Sequence, residues 1–357
     1  MTNRRLHIAH LNNDFTGSSR VLSESISYLI KSFHDISIYT NTETGLLSDL
    51  PVSEIKKISY IYSSNRILQI SRYFFWQIKL FIELFRALET DDLVLINTCL
   101  PFSAAIAAKI KGCKCIYYLH EDRVGSAFLS RFLFFTISHF ATGVIFVSKY
   151  LKRYCSQFNF PRGKVLYNPT VFDKSELIVR DSQFFSVLML SSFKPYKGVD
   201  SFVKLAEMNP SITWTLVLSS DGRDVCRFID QNRNIKNLTI FSKQSEVEGF
   251  YQKASVVINL TNPDECVETF GMTVLEGFSF GLPALVPYIG GIAEVVVHND
   301  NGFHINPNNL HEVSNKLIEI MEDPALYHRL SLSAHNRFDD FTEFPIVEVL
   351  SELIKDE

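Results

Sequence analysis

The sequence predicts an α/β protein of two doubly wound domains, in which parallel strands alternate with covering helices. Three observations predict it: a length of 357 residues, a composition of 46% hydrophobic and 21% charged residues, and short apolar runs that alternate with longer amphipathic segments. The length suits two ordinary domains better than a single core. Continuous apolar strands separated by helices are typical of a parallel sheet covered on both faces.

The first half of the chain predicts seven strands and five helices. The strands are expected at 7–11, 36–39, 58–62, 93–97, 114–119, 144–147 and 165–167. The helices are expected near 20–32, 66–88, 101–110, 126–140 and 148–157.

The second half repeats this rhythm. Its strands are expected at 186–190, 214–218, 238–241, 256–260 and 284–287, and its helices at 198–207, 223–231, 245–253, 271–280, 291–297 and 309–322. A polar stretch after Asn168-Pro169 divides the chain into domains 1–172 and 173–339. The helical segment of about 340–357 is expected to pack back on the first domain.

Charge is distributed unevenly between the two predicted domains. The net charge of the whole chain is −4, which excludes a strongly basic nucleic-acid binder. Residues 1–172 hold 20 Lys and Arg against 12 Asp and Glu, and the remainder is acidic. A basic first half indicates an anionic surface or substrate.

The cysteines and the start of the chain indicate a reduced, cytoplasmic setting. The six cysteines are scattered without a CxxC pair, so no structural zinc is predicted. Arg4 and Arg5 lead into a short apolar run, which is not a signal peptide.

The most informative segment runs from Asn262 to Gly291, after one predicted strand and across the start of a helix. Glu268 lies in the loop before that helix, and Glu276 lies within its second turn. A helix N-terminus offers free N–H groups and a positive dipole end, which suit a phosphate. Gly271 would let the backbone approach such a ligand, and a carboxylate can accept two hydrogen bonds from a diol. The alternative is an acidic helix cap with a solvated Glu276.

Three further residues follow predicted strands, where ligands of such sheets bind. Lys197 opens a helix after strand 186–190 and could neutralise a leaving diphosphate; the alternative is a surface lysine beside a turn. Gly17 lies in the polar loop after the first strand. His120 ends strand 114–119, and a lone histidine there is also compatible with a structural role.

The order of these motifs resembles the retaining family 4 glycosyltransferases of the GT-B fold over nearly the whole chain. The family motif Glu-x-Phe-Gly-x4-Glu is present from Glu268 to Glu276, and Gly-x-Pro follows at 281–283. Gly-Gly-x-x-Glu at 290–294 and Asn-Gly-Phe at 301–303, which matches a turn of the family, complete the series. The segment Val-Glu-Thr-Phe-Gly-Met-Thr at 267–273 is similar to the corresponding segment of enzymes that build bacterial surface polysaccharides such as O-antigen, lipopolysaccharide or capsule.

The resemblance implies two Rossmann-like domains that face a cleft, without a metal ion. The first would bind a glycan acceptor and the second a UDP- or GDP-linked sugar. It implies that Glu268 positions the sugar, that Lys197 neutralises the leaving diphosphate and that His120 contacts the donor sugar. The other donor-binding residues that it implies are Glu276, Phe270, Gly271, Met272, Thr273, Gly17, Lys194, Ser192 and Phe241.

One residue departs from the family pattern. Ser192 stands where the family has an arginine that binds the diphosphate together with the lysine. Lys194 is the nearest substitute, although a lysine cannot reproduce a bidentate guanidinium. In the family the leaving phosphate accepts the acceptor's proton, so His120 is not assigned as a general base.

The segment 72–88 predicts a helix that contacts a membrane surface. Arg72, Lys79 and Arg86 recur every seven residues and form one stripe on a helix rich in aromatic residues. Such a helix lies in a bilayer interface or packs beneath the domain with its charged stripe in water. The segment is too charged to span a membrane.

The resulting hypothesis is a cytoplasmic glycosyltransferase, peripheral on the inner face of the inner membrane, that extends a lipid-linked glycan. Two alternatives stay open: a sugar-nucleotide epimerase of the same fold and a catalytically inactive partner subunit. A Rossmann dehydrogenase is disfavoured because no Gly-x-Gly-x-x-Gly follows the first strand.

Overall fold

The computed structural model describes residues 4–63, 65–170, 172–177 and 184–355, and the chain divides into two compact units. The first unit comprises the chain up to Pro169 and the segment from Phe344 onward; the second runs from Thr170 to Glu343. The division after Pro169 lies three residues before the boundary that composition placed at 172.

Within the described residues, the first unit is built on a sheet of seven parallel strands. They are β1 (Leu6–Ala9), β2 (Ile36–Thr40), β3 (Glu54–Lys57), β4 (Leu93–Asn97), β5 (Lys114–Leu119), β6 (Gly143–Phe146) and β7 (Gly163–Val165). The connecting helices are α1 (Gly17–Leu29), α2 (Arg66–Ala87), α3 (Phe102–Lys111), α4 (Ala127–Phe140) and α5 (Lys149–Cys155). The strand order is β3-β2-β1-β4-β5-β6-β7, so the direction of winding reverses between β1 and β4.

Local sequence signals explain where several of these helices begin. The Asn65 side chain accepts hydrogen bonds from the first turn of α2, and the Ser126 hydroxyl does so for α4. Ser148 caps α5 through a 3.1 Å bond from the Leu151 backbone N–H. Such caps satisfy backbone donors that the helix itself leaves without partners.

The predicted strand at 58–62 is wrong. The edge strand of the first sheet is β3, four residues earlier, and it pairs with β2 through Glu54–Lys57. An edge strand is solvated along one side, so charged residues suit it and an apolar run does not mark it. The apolar pattern therefore pointed to the wrong segment.

The second unit is built on a sheet of six parallel strands in the part of the chain that the structure describes. They are β8 (Ser186–Ser191), β9 (Thr213–Leu218), β10 (Leu238–Phe241), β11 (Val256–Ile258), β12 (Ala284–Pro287) and β13 (Gly302–Ile305). Its helices are α6 (Val199–Met208), α7 (Arg223–Asn232), α8 (Glu248–Lys253), α9 (Met272–Ser279), α10 (Ile292–Val295), α11 (Leu310–Glu322) and α12 (Pro324–Arg337). The order β10-β9-β8-β11-β12-β13 reverses between β8 and β11.

Strand β13 was not predicted, because Asn301-Gly302-Phe303 was interpreted as a turn. Gly302 pairs with Ala284 so closely that a Cβ at residue 302 would overlap the Ala284 carbonyl. The glycine that suggested a turn is therefore required by the close approach of two strands.

The last helix, α13 (Ile346–Ile354), belongs to the first unit and packs on α1 and on β5 to β7. Leu353 lies against Gly143, where a Cβ would come within 3.1 Å of the leucine side chain. Among the helices of the described residues, none has the length and apolar character that crossing a bilayer requires.

Candidate functional site

The loops that follow β8 and β11 meet where the strand order of the second sheet reverses, the usual ligand site of such sheets. A 3₁₀ turn, Pro195–Lys197, ends at Gly198, whose φ is 74°. A Cβ there would overlap the Leu260 carbonyl oxygen, and the Asn262 N–H donates to the Tyr196 carbonyl at 2.7 Å. The two loops are thus held against each other by backbone contacts.

Lys197 and Glu268 form an ion pair between these loops. The Glu268 Oε1 atom accepts from Lys197 Nζ, from Thr261 Oγ1 at 2.9 Å and from Asn259 Nδ2 at 3.3 Å. Among the described residues no donor bonds to Oε2, and 21% of the Glu268 side chain is exposed. One carboxylate oxygen is therefore anchored and the other is available to a ligand.

The ion pair keeps both partners charged. Burial alone would raise the pKa of Glu268, but the Lys197 ammonium and the hydrogen bonds hold it below its ordinary value. Burial alone would lower the pKa of Lys197, and Glu268 raises it instead. The site thus holds a fixed carboxylate that can only accept hydrogen bonds, beside a fixed cation.

The backbone of Glu268 is held by the glycine pair after β12. The Gly291 N–H donates to the Glu268 carbonyl at 2.8 Å. Gly290 has a φ of 110°, and a Cβ at this position would overlap the same carbonyl oxygen. The Gly-Gly motif therefore positions Glu268 through its main chain.

Phe270 and Gly271 directly precede helix α9, which begins at Met272, and both residues pack against other parts of the second unit. Gly271 has a φ of 106°, and a Cβ would come within 2.5 Å of Ile292 Cγ1. The glycine is thus required by its conformation and by the close approach of α10, and the ligand approach expected from the sequence stays a prediction. The Phe270 ring is buried, with its centroid 6.1 Å from that of Phe341, so it is a packing residue.

The first turn of α9 contains Met272 and Thr273, both half-buried, and its second turn contains Glu276. Glu276 is 4% exposed, which excludes the solvated carboxylate considered as an alternative. Its Oε2 accepts from the Tyr251 hydroxyl at 2.5 Å. The Tyr251 ring stacks on Phe280 with a centroid distance of 5.7 Å, which fixes the hydroxyl.

The remaining predicted residues of the second unit lie nearer the surface. Ser192 is half-buried directly after β8, and Lys194 is exposed two residues later. Phe241 ends the edge strand β10, half-buried, with its ring 4.9 Å from that of Phe250. Their roles stay predictions.

In the first unit, Gly17 follows the loop after β1, and His120 lies in the loop after β5. Gly17 is exposed at the start of α1, and a Cβ there would meet no atom within 4 Å. His120 is half-buried against Tyr118, and its Nε2 lies 2.8 Å from Asn97 Oδ1. Burial, with His10 nearby, lowers the pKa of His120 to about 3, so the ring is neutral.

Sequence reasoning missed several residues that hold the site. Asn259 and Thr261 follow β11 directly, and polar residues at the carboxyl end of a buried strand were a usable signal. No sequence signal marked Tyr251 or Asn97, because each acts through a hydrogen bond to a residue more than 20 positions away. Within the described residues, no three His, Cys, Asp or Glu side chains cluster in a way that could hold a metal ion.

Two parallel Rossmann-like sheets and a cation–carboxylate pair at a switch point agree with a glycosyltransferase of the GT-B fold. The family model described as "Glycosyl transferases group 1" matches residues 174–337, and the model "Glycosyltransferase Family 4" matches residues 15–175. The chain belongs to the family 4 glycosyltransferases.

Curated relatives carry the same class of name. The chain is 26% identical over 188 residues to an uncharacterized glycosyltransferase of Methanocaldococcus jannaschii, covering 51% of this chain and 50% of that protein. It is 25% identical over 166 residues to N-acetyl-alpha-D-glucosaminyl L-malate synthase of Bacillus anthracis, covering 45% of this chain and 42% of that protein. These matches span half or less of the relatives' lengths. An uncharacterized glycosyltransferase of Haemophilus influenzae is 22% identical over 93% of this chain and 94% of its own.

Solved structures share the fold over nearly the full chain. HepE of Anabaena, in complex with UDP and glucose, has a TM-score of 0.76 at 18% identity and covers 98% of both chains. Sucrose-phosphate synthase of Thermosynechococcus elongatus has a TM-score of 0.76 at 15% identity, covering 98% of this chain and 97% of that one. At these identities the likeness shows the fold.

Proposed function

We propose that the protein is a retaining glycosyltransferase that moves a hexosyl or deoxyhexosyl unit from a nucleoside-diphosphate sugar to a lipid-linked glycan of a surface polysaccharide. The observation that carries the proposal is the charged Lys197–Glu268 pair at the switch point of the second sheet. The HepE complexes with UDP and with UDP-glucose support a nucleotide-sugar donor.

In the proposed reaction, the bond from the anomeric carbon to the diphosphate oxygen breaks while the acceptor oxygen bonds to that carbon from the same face. The acceptor's proton passes to the leaving diphosphate, so no side chain acts as the nucleophile. Lys197 and the N–H groups of Met272 and Thr273 stabilise the developing charge. Glu268 Oε2 accepts a hydrogen bond from a sugar hydroxyl, and Glu276 accepts hydrogen bonds from the ribose hydroxyls.

The other predicted residues keep their proposed roles. Lys194 supplies charge in place of the arginine that Ser192 replaces, and Phe241 contacts the base. Gly17 contributes backbone to the donor phosphate, and His120 contacts the sugar. The transfer is proposed to proceed without a metal ion, so EDTA is expected to leave turnover unchanged.

The test is thermal unfolding with UDP, GDP, ADP and CMP, followed by assay with sugars of the nucleotide that binds. A ligand at about 100 times its Kd stabilises by about 2.7 kcal/mol. We expect one nucleoside diphosphate to raise the Tm and the Glu276→Ala variant to lose that response. The Lys204→Met variant, on the exposed surface of α6, is the control.

Three outcomes contradict the proposal. A nucleotide response that survives in Glu276→Ala refutes the assigned site. A changed sugar nucleotide without any acceptor identifies an epimerase instead. Absence of both nucleotide binding and turnover indicates an inactive partner subunit, and an inverted product refutes retention.

We also propose that the first unit contacts an anionic bilayer through α2. The buried side of this helix carries Trp76, Leu80 and Leu84, yet its opposite side is also apolar and exposed. That exposed side consists of Ile67, Ile70, Phe74, Phe75, Ile78, Ile82 and Phe85. This exposed apolar side supports a bilayer contact, and the alternative, a packed helix with its charged stripe in water, stays open.

The basic residues lie along one rim of this apolar face. Successive residues of a helix are rotated by about 100°, which places Arg72, Lys79 and Arg86 between the buried and the exposed apolar sides. The Lys79 ammonium lies 4.6 Å from the centroid of the Phe75 ring. An apolar face with a basic rim matches an interface of acyl chains and anionic headgroups.

The apolar surface continues from α2 onto α4. Phe74 contacts Phe102 at a ring distance of 6.2 Å, and Phe102 contacts Phe132 at 5.0 Å. Phe128 and Phe135 of α4 are 83% and 55% exposed. Helices α2 and α4, which are linked through the buried Phe102 of α3, thus both offer exposed aromatic side chains to a bilayer.

Co-sedimentation with vesicles tests this contact. We expect binding to phosphatidylcholine vesicles containing phosphatidylglycerol, weakened by salt and lost in Ile78→Ser/Phe128→Ser. Phe184→Ser, which changes an exposed phenylalanine of the second unit, is expected to bind as the wild type does. Equal binding of all variants, or a dimer that forms through α2 without lipid, would overturn the proposal.

A further inference from the structure

A row of buried polar side chains lies at the carboxyl edge of the first sheet, at its own switch point between β1 and β4. His120 Nε2 lies 2.8 Å from Asn97 Oδ1, and Asn97 Nδ2 lies 3.0 Å from His10 Nδ1. His10 Nε2 lies 3.1 Å from Ser19 Oγ, which is 2.7 Å from Asp14 Oδ1. His10, Ser19 and Asn97 are at most 2% exposed. Buried polar groups of this kind are held in place by their partners.

The orientation of the Asn97 amide follows from one backbone contact. Asn97 Nδ2 lies 3.1 Å from the Ser18 carbonyl oxygen, which can only accept a hydrogen bond. The nitrogen of the amide must therefore face Ser18 and His10, and its oxygen must face His120. An amide oxygen has no hydrogen to donate, so His120 Nε2 carries the hydrogen of that bond.

The neutral state of His120 then fixes its other ring nitrogen. Its pKa is lowered to about 3, chiefly by burial, and a neutral imidazole has a single N–H. Because this hydrogen is on Nε2, Nδ1 carries a lone pair. None of the residues that the structure describes donates to Nδ1.

The same reasoning assigns the tautomer of His10. His10 Nδ1 lies 3.0 Å from Asn97 Nδ2 and 3.3 Å from the Asn97 carbonyl oxygen. One hydrogen of Nδ2 is donated to the Ser18 carbonyl and the other points to His10, so at the shorter contact Nδ1 accepts. His10 Nε2 then carries the hydrogen and donates to Ser19 Oγ. The Ser19 hydroxyl donates in turn to Asp14 Oδ1, which also accepts from the Thr16 N–H at 2.9 Å. Each hydrogen bond of the row is thus donated in the direction that leads from His120 to Asp14, in the loop before α1.

We propose that Asn97 and His10 are positioning residues that hold His120 as the Nε2–H tautomer, so that Nδ1 is a permanent acceptor for a hydroxyl of the sugar substrate. The sugar contact rests on the proposed function, and the tautomer does not. A hydroxyl can donate to this nitrogen, whereas a deprotonated phosphate oxygen has no hydrogen to give. Asn97 keeps both its own hydrogens, so the row orients His120 without delivering a proton to it.

Nitrogen-15 NMR of the histidine rings tests the tautomers without substrate. We expect His10 and His120 to show the Nε2–H form throughout pH 6 to 8, with the exposed His34 as an internal reference. The Asn97→Asp variant cannot donate to His10 Nδ1, so His10 is expected to change to the Nδ1–H form. The new carboxylate is also expected to make His120 titrate at higher pH.

Asn12→Asp is the matched control. It adds the same negative charge close to the row, but the side chain of residue 12 makes none of the hydrogen bonds of the row. Circular dichroism and thermal unfolding establish that each variant is folded. A wild-type His120 in the Nδ1–H form or in a tautomer mixture overturns the proposal, as does an Asn97→Asp variant with both rings unchanged.

The sugar contact is tested separately. The donor sugar nucleotide identified by the assay is expected to shift the His120 Nδ1 signal, and its nucleoside diphosphate alone is not. Equal shifts with both ligands overturn the hydroxyl contact and leave the tautomer standing. Absence of any nucleotide binding contradicts the proposed function alone.

Discussion

Lys197 and Glu268, 71 residues apart in the sequence, form an ion pair where the strand order of the second sheet reverses. The pair joins two requirements of the proposed chemistry in one contact. The half-buried Lys197 ammonium stays protonated because it has a carboxylate partner, and that carboxylate keeps one oxygen for a ligand. Breaking such a pair is costly because it leaves an uncompensated buried charge.

Replacing Lys197 with methionine is expected to lower kcat/KM by about 100-fold or more, the usual cost of losing one group that stabilises transition-state charge. It is also expected to weaken nucleoside-diphosphate binding, measured by titration calorimetry. Lys204→Met, an equal loss of charge on the exposed surface of α6, serves as the control. Equal effects of the two substitutions would show that Lys197 acts only through the net charge.

Glu268→Gln is expected to destabilise the protein most at neutral pH. The folded-state pKa of Glu268 is lowered, so its stabilising effect is complete above its ordinary value of about 4.5 and is lost as the pH falls. The Tm gap between wild type and variant should therefore be wide at pH 7 and narrow below pH 4.5. A gap that does not change with pH would contradict the charged pair.

Glu121→Gln is expected to show the opposite dependence on pH. Burial raises the pKa of Glu121 to about 7, although backbone N–H groups, including that of Cys99, donate to it. Its stabilising effect is complete below about 4.5, where the carboxyl is protonated, and is lost as the pH rises through 7. The variant should gain in Tm relative to wild type between pH 5 and pH 8.

The exposed Glu43 provides the control for this measurement. Glu43→Gln should follow the wild-type curve over the same pH range. A Glu121→Gln variant that runs parallel to wild type from pH 5 to 8 would show that Glu121 is ionised throughout.

Gly290→Ala is expected to destabilise the second unit by about 1–3 kcal/mol, the usual cost of a strained backbone conformation. Its φ of 110° is unfavourable for alanine, and the added Cβ would displace the Glu268 carbonyl. Turnover should therefore fall together with stability. Gly249→Ala, in α8 with open space around it, should leave turnover unchanged and stability equal or higher.

Tyr251→Phe is expected to reduce affinity for the nucleoside diphosphate while the fold is kept. The ring remains stacked on Phe280, and the substitution removes the hydroxyl that donates to Glu276 Oε2 at 2.5 Å. A hydrogen bond to a charged group contributes about 1.5–3 kcal/mol. The check is calorimetric titration beside Tyr62→Phe, an exposed tyrosine of the first unit; equal affinities would refute a role for the bond.

Sequence reasoning could predict the elements whose burial leaves a pattern. Strands such as β4 and β5 are buried at nearly every residue, so their apolar runs gave correct bounds. Edge strand β3 is held by backbone pairing and carries charged residues, so hydropathy could not locate it. The site motif was visible because Glu268 and Glu276 are close in sequence. The bond from Tyr251 to Glu276 and that from Asn97 to His120 join residues 25 and 23 positions apart, and only the fold shows them.

The membership of α13 in the first unit has a consequence for synthesis. Residues up to Pro169 leave the ribosome first, yet the helix that packs on α1 and on β5 to β7 begins at Ile346. The whole second unit is translated in between, which takes roughly 10–35 s at the usual rate of about 5–20 residues per second. The unit that is made first is therefore the last to be completed, and until then the surface around Gly143 lacks the helix that brings Leu353 against it.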